Sequence, residues 1–385
     1  MVNRGAGLTD IHTTDGCETS PVLYVDDGLI AGRDAHVRTV VKEHYEDFVT
    51  DKRTLFLDDG EQIPHLGMIV TRENTVITLD GSGYVRTLVK EHEESASAMD
   101  ASRPMDYPEA SLFDEPGRCE CVREVIGKLM WVARTSRPSI AFTVAYLARF
   151  VDAWNEAAEK GLAQLLRYLR AHPFSQISFG RLVNEEERRA PVDVHVFWDV
   201  DHAGYPPTRR STTGYAVYVR SERLWTLVDW SSRKQKVVDT STGQAELISL
   251  HEATFGGFLP AMSLVEELVG TERLQGGKHG VMHCDIEVAI VWVCNGYSAK
   301  VEHLRKSQGV AVVSLYEVFA AQLFGRCELR FVAGKENPAG IFTKPLGPQK
   351  FREAVVMLDE PEISYDSGCT DAREELRKCT RGTLA

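Results

Sequence analysis

The sequence predicts an α/β fold of the mixed, α+β kind, and three observations predict it. From Asp193 onward, apolar residues alternate over three short runs, DVHVFW, GYAVYV and LWTLVDW, with the period of two that marks strands. Two long helical stretches then alternate with two further strand-like runs. The order βββ–α–β–α–β is that of a mixed sheet with helices packed against it. Ahead of this, short apolar runs with turn signals give way to two long helical stretches and then a charged break.

Taken in order, residues 1–20 are polar, rich in Gly and Thr and without period, and read as a disordered lead-in. The stretch Leu23–Ile30, LYVDDGLI, reads as a hairpin, since Asp-Asp-Gly between apolar runs favours a tight turn. His36–Phe48 carries helical spacing through Val37, Val40, Val41, Tyr45 and Phe48. Thr75–Leu79 is β-branched like a strand, and Asp80-Gly81 marks a turn. Residues 93–118 are a polar connector. Val122–Phe150 predicts a long helix broken at Arg137-Pro138, where proline removes a donor and crowds the preceding turn, and Trp154–Arg170 predicts a second.

These elements form a first region, 21–183, and the charged stretch 184–192 is a linker to a second domain, 193–351. Its meander comprises Asp193–Trp198, Gly214–Val219 and Leu224–Trp230. A helix over Gly243–Leu268, a strand over Val281–Cys284, a helix over Val301–Leu323 and a strand over Glu328–Val332 follow, and residues 352–385 form a tail.

Composition bounds the function. The 385 residues are 43% hydrophobic and 26% charged, a globular balance. No apolar run approaches the roughly 18 residues of a membrane span, and no signal peptide is evident, so a cytoplasmic or nuclear setting is expected. Among the eight cysteines the tightest pair, Cys119 and Cys121, has no matching second pair and makes no zinc site. The net charge of −12 argues against a chain that coats nucleic acid non-specifically, while leaving room for a local basic patch.

Three acids of the second domain fall at telling places. Asp199 is expected to end the first strand, Glu246 to lie in the first turns of the following helix, and Asp285 to end the fourth strand. Carboxylates so placed converge at one edge of a sheet, where their repulsion is costly without a cation, and Mg²⁺ is the cation that takes carboxylate oxygen and water. Two such ions about 4 Å apart support in-line attack of water on a phosphodiester. Taken singly, each acid reads better as a solvated turn residue; three together shift the balance. The adjacent pair Asp26 and Asp27, at the crest of LYVDDGLI, poses the same question.

The second domain resembles the ribonuclease H domain of copia-type LTR-retrotransposon Pol polyproteins. The text that carries this is FWDVDHAGYPPTRRSTTGYAVYV, DWSSRKQKVVDTSTGQAELISL, HCDIEVAI, EHLRKSQ and NPAGIFTKPL, in family order over about residues 194–351. The first region resembles the C-terminal part of the same polyprotein's reverse transcriptase, through LYVDDGLIAG, HLGMIV, VIGKLMWVARTSRPSIAFTVAYLARF and LLRYLR. The resemblance implies a partial palm, thumb and connection region followed by a ribonuclease H-like mixed sheet flanked by helices. It implies Asp199, Glu246 and Asp285 as ligands of two Mg²⁺ ions, with Mn²⁺ as a substitute, and an RNA–DNA hybrid as substrate. Asp26 and Asp27 would be a vestigial polymerase metal pair. The family's other palm acid lies well upstream of this hairpin, and nothing in the 25 residues before Asp26 resembles its strand, so polymerase activity from this chain alone is not expected.

Departures from the family weaken the nuclease site. Gly340 stands where the family has a fourth carboxylate, with Asp201 and Glu336 nearby as candidates to compensate. Gln244 replaces an acid, Ile286 an Asn and His202 a Trp. The basic stretch Arg233-Lys234-Gln235-Lys236 suits phosphate contacts to a hybrid, although four such residues in isolation read better as a solvated basic turn. Arg209-Arg210-Ser211-Thr212 has the same ambiguity and is given a structural role. His251 and His303 are assigned to helices without a catalytic part. Three readings stay open: a Mg²⁺-dependent ribonuclease H, a catalytically degenerate nucleic-acid-binding remnant, and a host-recruited interaction module. Other parts of a Pol polyprotein are the further expected partners.

Overall fold

Tight turns between β-rich runs set the start of the chain. The structure is a computed structural model that describes residues 12–14, 17–24, 27–32, 58–74, 76–92, 101–106, 108–119, 121–179, 190–221, 224–269, 279–285, 287–296, 306–323 and 325–359. Two compact units divide it, Met1–Asn74 and Thr75–Ala385. In the first, β1 (His12–Thr14), β2 (Cys17–Tyr24) and β3 (Asp27–Gly32) form an antiparallel sheet in sequence order. The register ends with Tyr24 opposite Asp27, which leaves a two-residue connection at the crest of LYVDDGLI. The expected hairpin is therefore present, with Asp27 and Gly28 drawn into the strand. The lead-in of residues 1–20 needs correction, because Thr13 and Thr14 pair with Glu18 and Cys17. Their β-branched side chains favour extended backbone despite the local polarity.

A second hairpin joins β4 (Gln62–His65) to β5 (Met68–Glu73) through Leu66-Gly67, both at positive φ, as a two-residue hairpin turn requires. The predicted helix over 36–48, the linker 184–189 and the tail beyond 359 lie outside the described residues.

The second unit begins with β6 (Val76–Asp80), and the predicted turn at Asp80-Gly81 leads straight into an unforeseen helix, α1 (Ser82–Glu91). The Asp80 carboxylate accepts the Ser82 backbone N–H at 2.7 Å and so satisfies one donor of the helix start. Next, α2 (Val122–Thr135) stops just ahead of Arg137-Pro138. A 3₁₀ turn at Pro138–Ile140, α3 (Ala141–Leu147) and a second 3₁₀ turn at Ala148–Phe150 complete the stretch, broken where proline dictates. Asn155 caps α4 (Glu156–Ala171) by accepting the Ala158 N–H at 2.9 Å. A short strand, β7 (Gln176–Phe179), pairs antiparallel with β6.

The remaining strands are β8 (Asp193–Tyr205), β9 (Arg210–Arg220), β10 (Trp225–Lys234), β11 (His279–Cys284) and β12 (Arg326–Phe331). They form one mixed sheet in the order β10-β9-β8-β11-β12. The first three make the expected antiparallel meander, and β11 runs parallel to both β8 and β12. After the meander, α5 (Thr242–Ala253) passes through a π-helical turn, Thr254–Phe258, into α6 (Leu259–Val269). The predicted single helix is thus interrupted where Gly256-Gly257 come close to Tyr215. An unforeseen helix, α7 (Glu287–Asn295), follows β11. The last predicted helix is α8 (Lys306–Phe319), and α9 (Pro348–Asp359) occupies what was read as the start of the tail. Its spacing explains it: Phe351, Ala354 and Leu358 share one buried face.

Strand alternation gives the sheet two cores. Val194, Val196 and Trp198 of β8 pack with Leu247 and Leu250 of α5 and Leu315 of α8. Phe197, Ala216, Tyr218 and Trp230 belong instead to a core with residues of α2, α3, α4 and α9. Trp230 fixes that second layer by donating its indole N–H to the Ala133 carbonyl at 2.7 Å, beside an Arg134–Asp229 ion pair at 3.1 Å. No helix of the described residues is long and apolar enough to cross a membrane.

His195 of β8 and His283 of β11 stack 14° from parallel, with Nδ1 and Nε2 2.9 Å apart, both buried. Burial pushes both below their ordinary value of 6.5, and each is further discouraged by neighbouring positive charge. The unfolded chain therefore binds more protons in acid. The contribution to stability is complete above about 6.5 and is lost as pH falls toward the folded values. Urea midpoints at about pH 7.5 and about pH 5 are expected to show this loss, and a His195→Leu/His283→Leu double variant is expected to show a smaller difference between the two.

Candidate active site

The strand pairing brings the predicted acids to one level. Asp199 lies within β8 and not at its end, paired with Gly214 of β9. The strand continues to Tyr205 because β9 supplies partners through Asp201 and, after a register shift, again at Tyr205. On the other side, the parallel register sets His283 of β11 opposite Phe197. Asp285 follows directly after β11, two residues beyond His283, as Asp199 lies two residues beyond Phe197. Glu246 comes from the second turn of α5, whose N-cap Ser241 accepts the Gln244 N–H. Ser249, three residues later, donates its hydroxyl to the Asp199 carbonyl at 3.0 Å and ties the helix to the strand.

The segment after β12 closes the site from the other side. The Asn337 amide donates to the Trp198 carbonyl at 2.9 Å, and a 3₁₀ turn follows at Pro338–Phe342. The Thr343 hydroxyl donates to Asp199 Oδ2, and Lys344 Nζ stands 3.4 Å from the same oxygen. This approach requires glycine at 214, where a Cβ would lie 2.7 Å from both Phe342 Cβ and Thr343 Cγ2. Sequence reasoning quoted this text for the resemblance but gave Thr343, Lys344, Ser249 and Asn337 no part. Only their spatial return to Asp199 reveals one.

Electrostatics couple the group. Burial, then the charges of Asp199 and Asp285, push Glu246 up to about 9, against the opposing influence of Lys344. Burial and Asp199 raise Asp285 as well. Asp201 is raised chiefly by burial and joins the same field, where Lys344 and Arg149 oppose the rise. Burial works against the charge of Lys344, and Asp199, Asp201 and Asp285 together hold its pKa above the usual range. The set is thus an acid cluster with one ammonium lodged in it and a proton on Glu246 at neutral pH.

Among the described residues, no group of three or more His, Cys, Asp or Glu side chains is arranged to hold a metal ion. The donor chemistry itself suits a hard divalent cation: carboxylate oxygens only, one of them carrying a proton that a cation would displace. Gly340 lies against the cluster, and a Cβ added there would stand 3.7 Å from Asp199 Oδ2. A side chain at 340 would therefore enter the site. Of the other departures, Gln244 accepts the Thr240 N–H and hydroxyl at 3.1 and 3.0 Å, a capping role. His202 approaches the Asp239 carbonyl at 3.4 Å, and Ile286 lies outside the described residues. Glu336 neighbours Lys335 at 3.8 Å.

The basic stretch divides. Arg233 and Lys236 are exposed and Lys234 half-buried, but Gln235 is wholly buried, donating to the Thr213 hydroxyl at 3.1 Å and the Ala245 carbonyl at 2.9 Å. It fastens α5 to the sheet and presents nothing to solvent. Asp26 and the side chain of Asp27 lie outside the described residues, as does His303. His251 packs against the Phe255 ring, 4.6 Å between centroids.

No family model matches the chain. Among curated proteins it is similar to the retrovirus-related Pol polyprotein from transposon TNT 1-94 of Nicotiana tabacum, 26% identical over 86% of this chain. A second relative is the corresponding polyprotein from transposon RE1 of Arabidopsis thaliana, 24% identical over 86%. A third, from transposon RE2 of the same plant, is 26% identical over 86%. The chain is related to retrotransposon Pol polyproteins. It spans 23%, 21% and 21% of the length of these three Pol relatives.

Gly214 gives a stability test of this arrangement. A Gly214→Ala variant forces its methyl against Phe342 and Thr343, and a loss of about 1–3 kcal/mol in urea unfolding is expected.

Proposed function

We propose that this Pol-related chain carries a ribonuclease H-type nuclease that cuts the RNA strand of an RNA–DNA hybrid, at a rate reduced by the glycine at 340. The observation that carries the reading is the meeting of Asp199, Glu246 and Asp285 in one electrostatic cluster, from three separate elements of a mixed sheet. The relationship to Pol polyproteins supports nucleic acid as the partner class. Asp199, Glu246 and Asp285 would hold Mg²⁺, with Mn²⁺ as a substitute. The cation, when bound, lowers the pKa of a water for attack on phosphorus and stabilises the charge that develops on the phosphate.

The chain's own side chains prepare that site. Thr343 and Lys344 occupy Asp199 Oδ2 and fix its carboxylate plane. Glu246 keeps its proton until a cation displaces it. Lys344 offsets acid charge in the absence of a metal, so the cluster stays folded together. Gly340 leaves one donor fewer than the family's four, which weakens cation binding and not the fold.

A second reading, a nucleic-acid-binding remnant without catalysis, rests on the same Gly340 together with Lys344 beside Asp199. One assay separates the two, with a labelled hybrid, Mg²⁺ or Mn²⁺, and three proteins. Under the nuclease reading the wild type cleaves, Asp199→Asn does not, and Gly340→Asp gains about ten- to a hundred-fold. No cleavage by the wild type, with cleavage gained in Gly340→Asp, favours the remnant. No cleavage by any of the three contradicts the nuclease reading.

A further inference from the structure

Near the acid cluster, two cations lie on one tyrosine and a third stands on the strand opposite it. Arg149, in the 3₁₀ turn after α3, holds its guanidinium 4.9 Å from the centre of the Tyr205 ring and 5.1 Å from that of Tyr146. Lys234, the last residue of β10, places its ammonium 4.9 Å from the Tyr205 ring too. Arg210 opens β9 directly opposite Tyr205. Each arginine's charge is felt at Lys234, whose pKa is lowered first by burial and then by Arg149 and Arg210. Burial drives Arg149 down as well, to about 10.

Cation–π contact is worth only about 0.5–2 kcal/mol, and it cannot cancel repulsion among three positive groups. The carboxylate acting on Arg149 is Asp201, which Lys344 of the acid cluster already shares. Donors are left over. The Nε–H groups of Arg149 and Arg210 are buried without a hydrogen-bond partner, while another Arg149 nitrogen donates to the Thr212 hydroxyl at 3.1 Å. Unpaired, charge-bearing donors in a half-buried setting are costly unless an anion completes them. A tetrahedral phosphate matches planar guanidinium donors and a mobile ammonium.

We infer that Arg149, Arg210 and Lys234 form a phosphate-binding site around Tyr205, which takes a backbone phosphate of the nucleic acid whose neighbouring phosphodiester lies at Asp199, Glu246 and Asp285. The inference rests on the nuclease reading for its ligand and goes beyond the exposed basic run. The site is composite: Arg149 comes from the helical region ahead of the sheet, Arg210 and Lys234 from the sheet itself. Asp201, acting on Arg149 and within the field of Asp199, links it to the acid cluster.

Two probes test it on the full chain, with divalent ions removed by chelation. Fluorescence anisotropy with a labelled RNA–DNA hybrid is run from about 50 to about 200 mM salt, comparing wild type, Arg149→Gln, Lys234→Gln and the exposed control Lys350→Gln. Each site variant is expected to weaken binding on the order of tenfold and to lower the log–log salt slope by about one, with Lys350→Gln unchanged. Inorganic phosphate serves as the second probe, and is expected to raise the wild-type melting midpoint more than that of either site variant. Lys234, being half-exposed, keeps the test open if Arg149→Gln fails to fold. Hybrid binding that is the same in wild type and Lys234→Gln overturns the site and leaves the nuclease reading standing. Phosphate stabilisation that depends on Lys234, in a protein that binds no hybrid, upholds the anion site and overturns the nucleic-acid reading. Neither hybrid binding nor phosphate stabilisation overturns both.

Discussion

Like charges held together out of water are the constraint on which this structure turns. Asp199, Glu246 and Asp285 arrive from β8, α5 and the end of β11, and burial denies each the solvation that an exposed acid enjoys. The chain answers with three compensations. Lys344 sets an ammonium 3.4 Å from Asp199, Thr343 donates to the same oxygen, and Glu246 retains a proton. Each is reversible, and a divalent cation would replace the last. The cluster's acid charge is therefore offset from within the chain itself.

The sheet's two cores hold that cluster in place. Alternation along β8 sends Val196 and Trp198 toward α5 and α8 while Phe197 packs with the helices that precede the sheet. A strand gripped from both faces cannot shift register without expelling one of the cores. Asp199 thus keeps its place in β8, and the segment from Asn337 to Lys344 finds it there. Packing from the upstream helices also places Arg149 against Tyr205 of β8.

Much of this was legible in the sequence, for identifiable reasons. The meander, the break at Arg137-Pro138 and the order of strands and helices follow from period and proline chemistry. The three acids stood out because each fell at the expected end of a strand or in the first turns of a helix. Asp199 was misplaced to a strand end because the polar run Asp199–His202 reads as a terminus, whereas pairing with β9 carries the strand through it. Helices α7 and α9 were missed because one is too apolar to show a period and the other lies against an assumed boundary. Gln235 looked basic by company and proves to be a buried fastener. Lys344 and Arg149 were invisible as site residues, since their roles exist only through contacts more than 50 residues away in sequence.

Burial of Glu246, and after it the charges of Asp199 and Asp285, keep a proton on its carboxyl at neutral pH. Carbon-13 NMR of the glutamate side-chain carboxyls in metal-free protein, with Glu246 assigned from a Glu246→Gln spectrum, reads this directly. The account predicts a Glu246 carboxyl that is protonated at neutral pH and titrates at about 9. A Glu246 carboxyl already ionised at neutral pH, titrating near the ordinary 4.5, would contradict it.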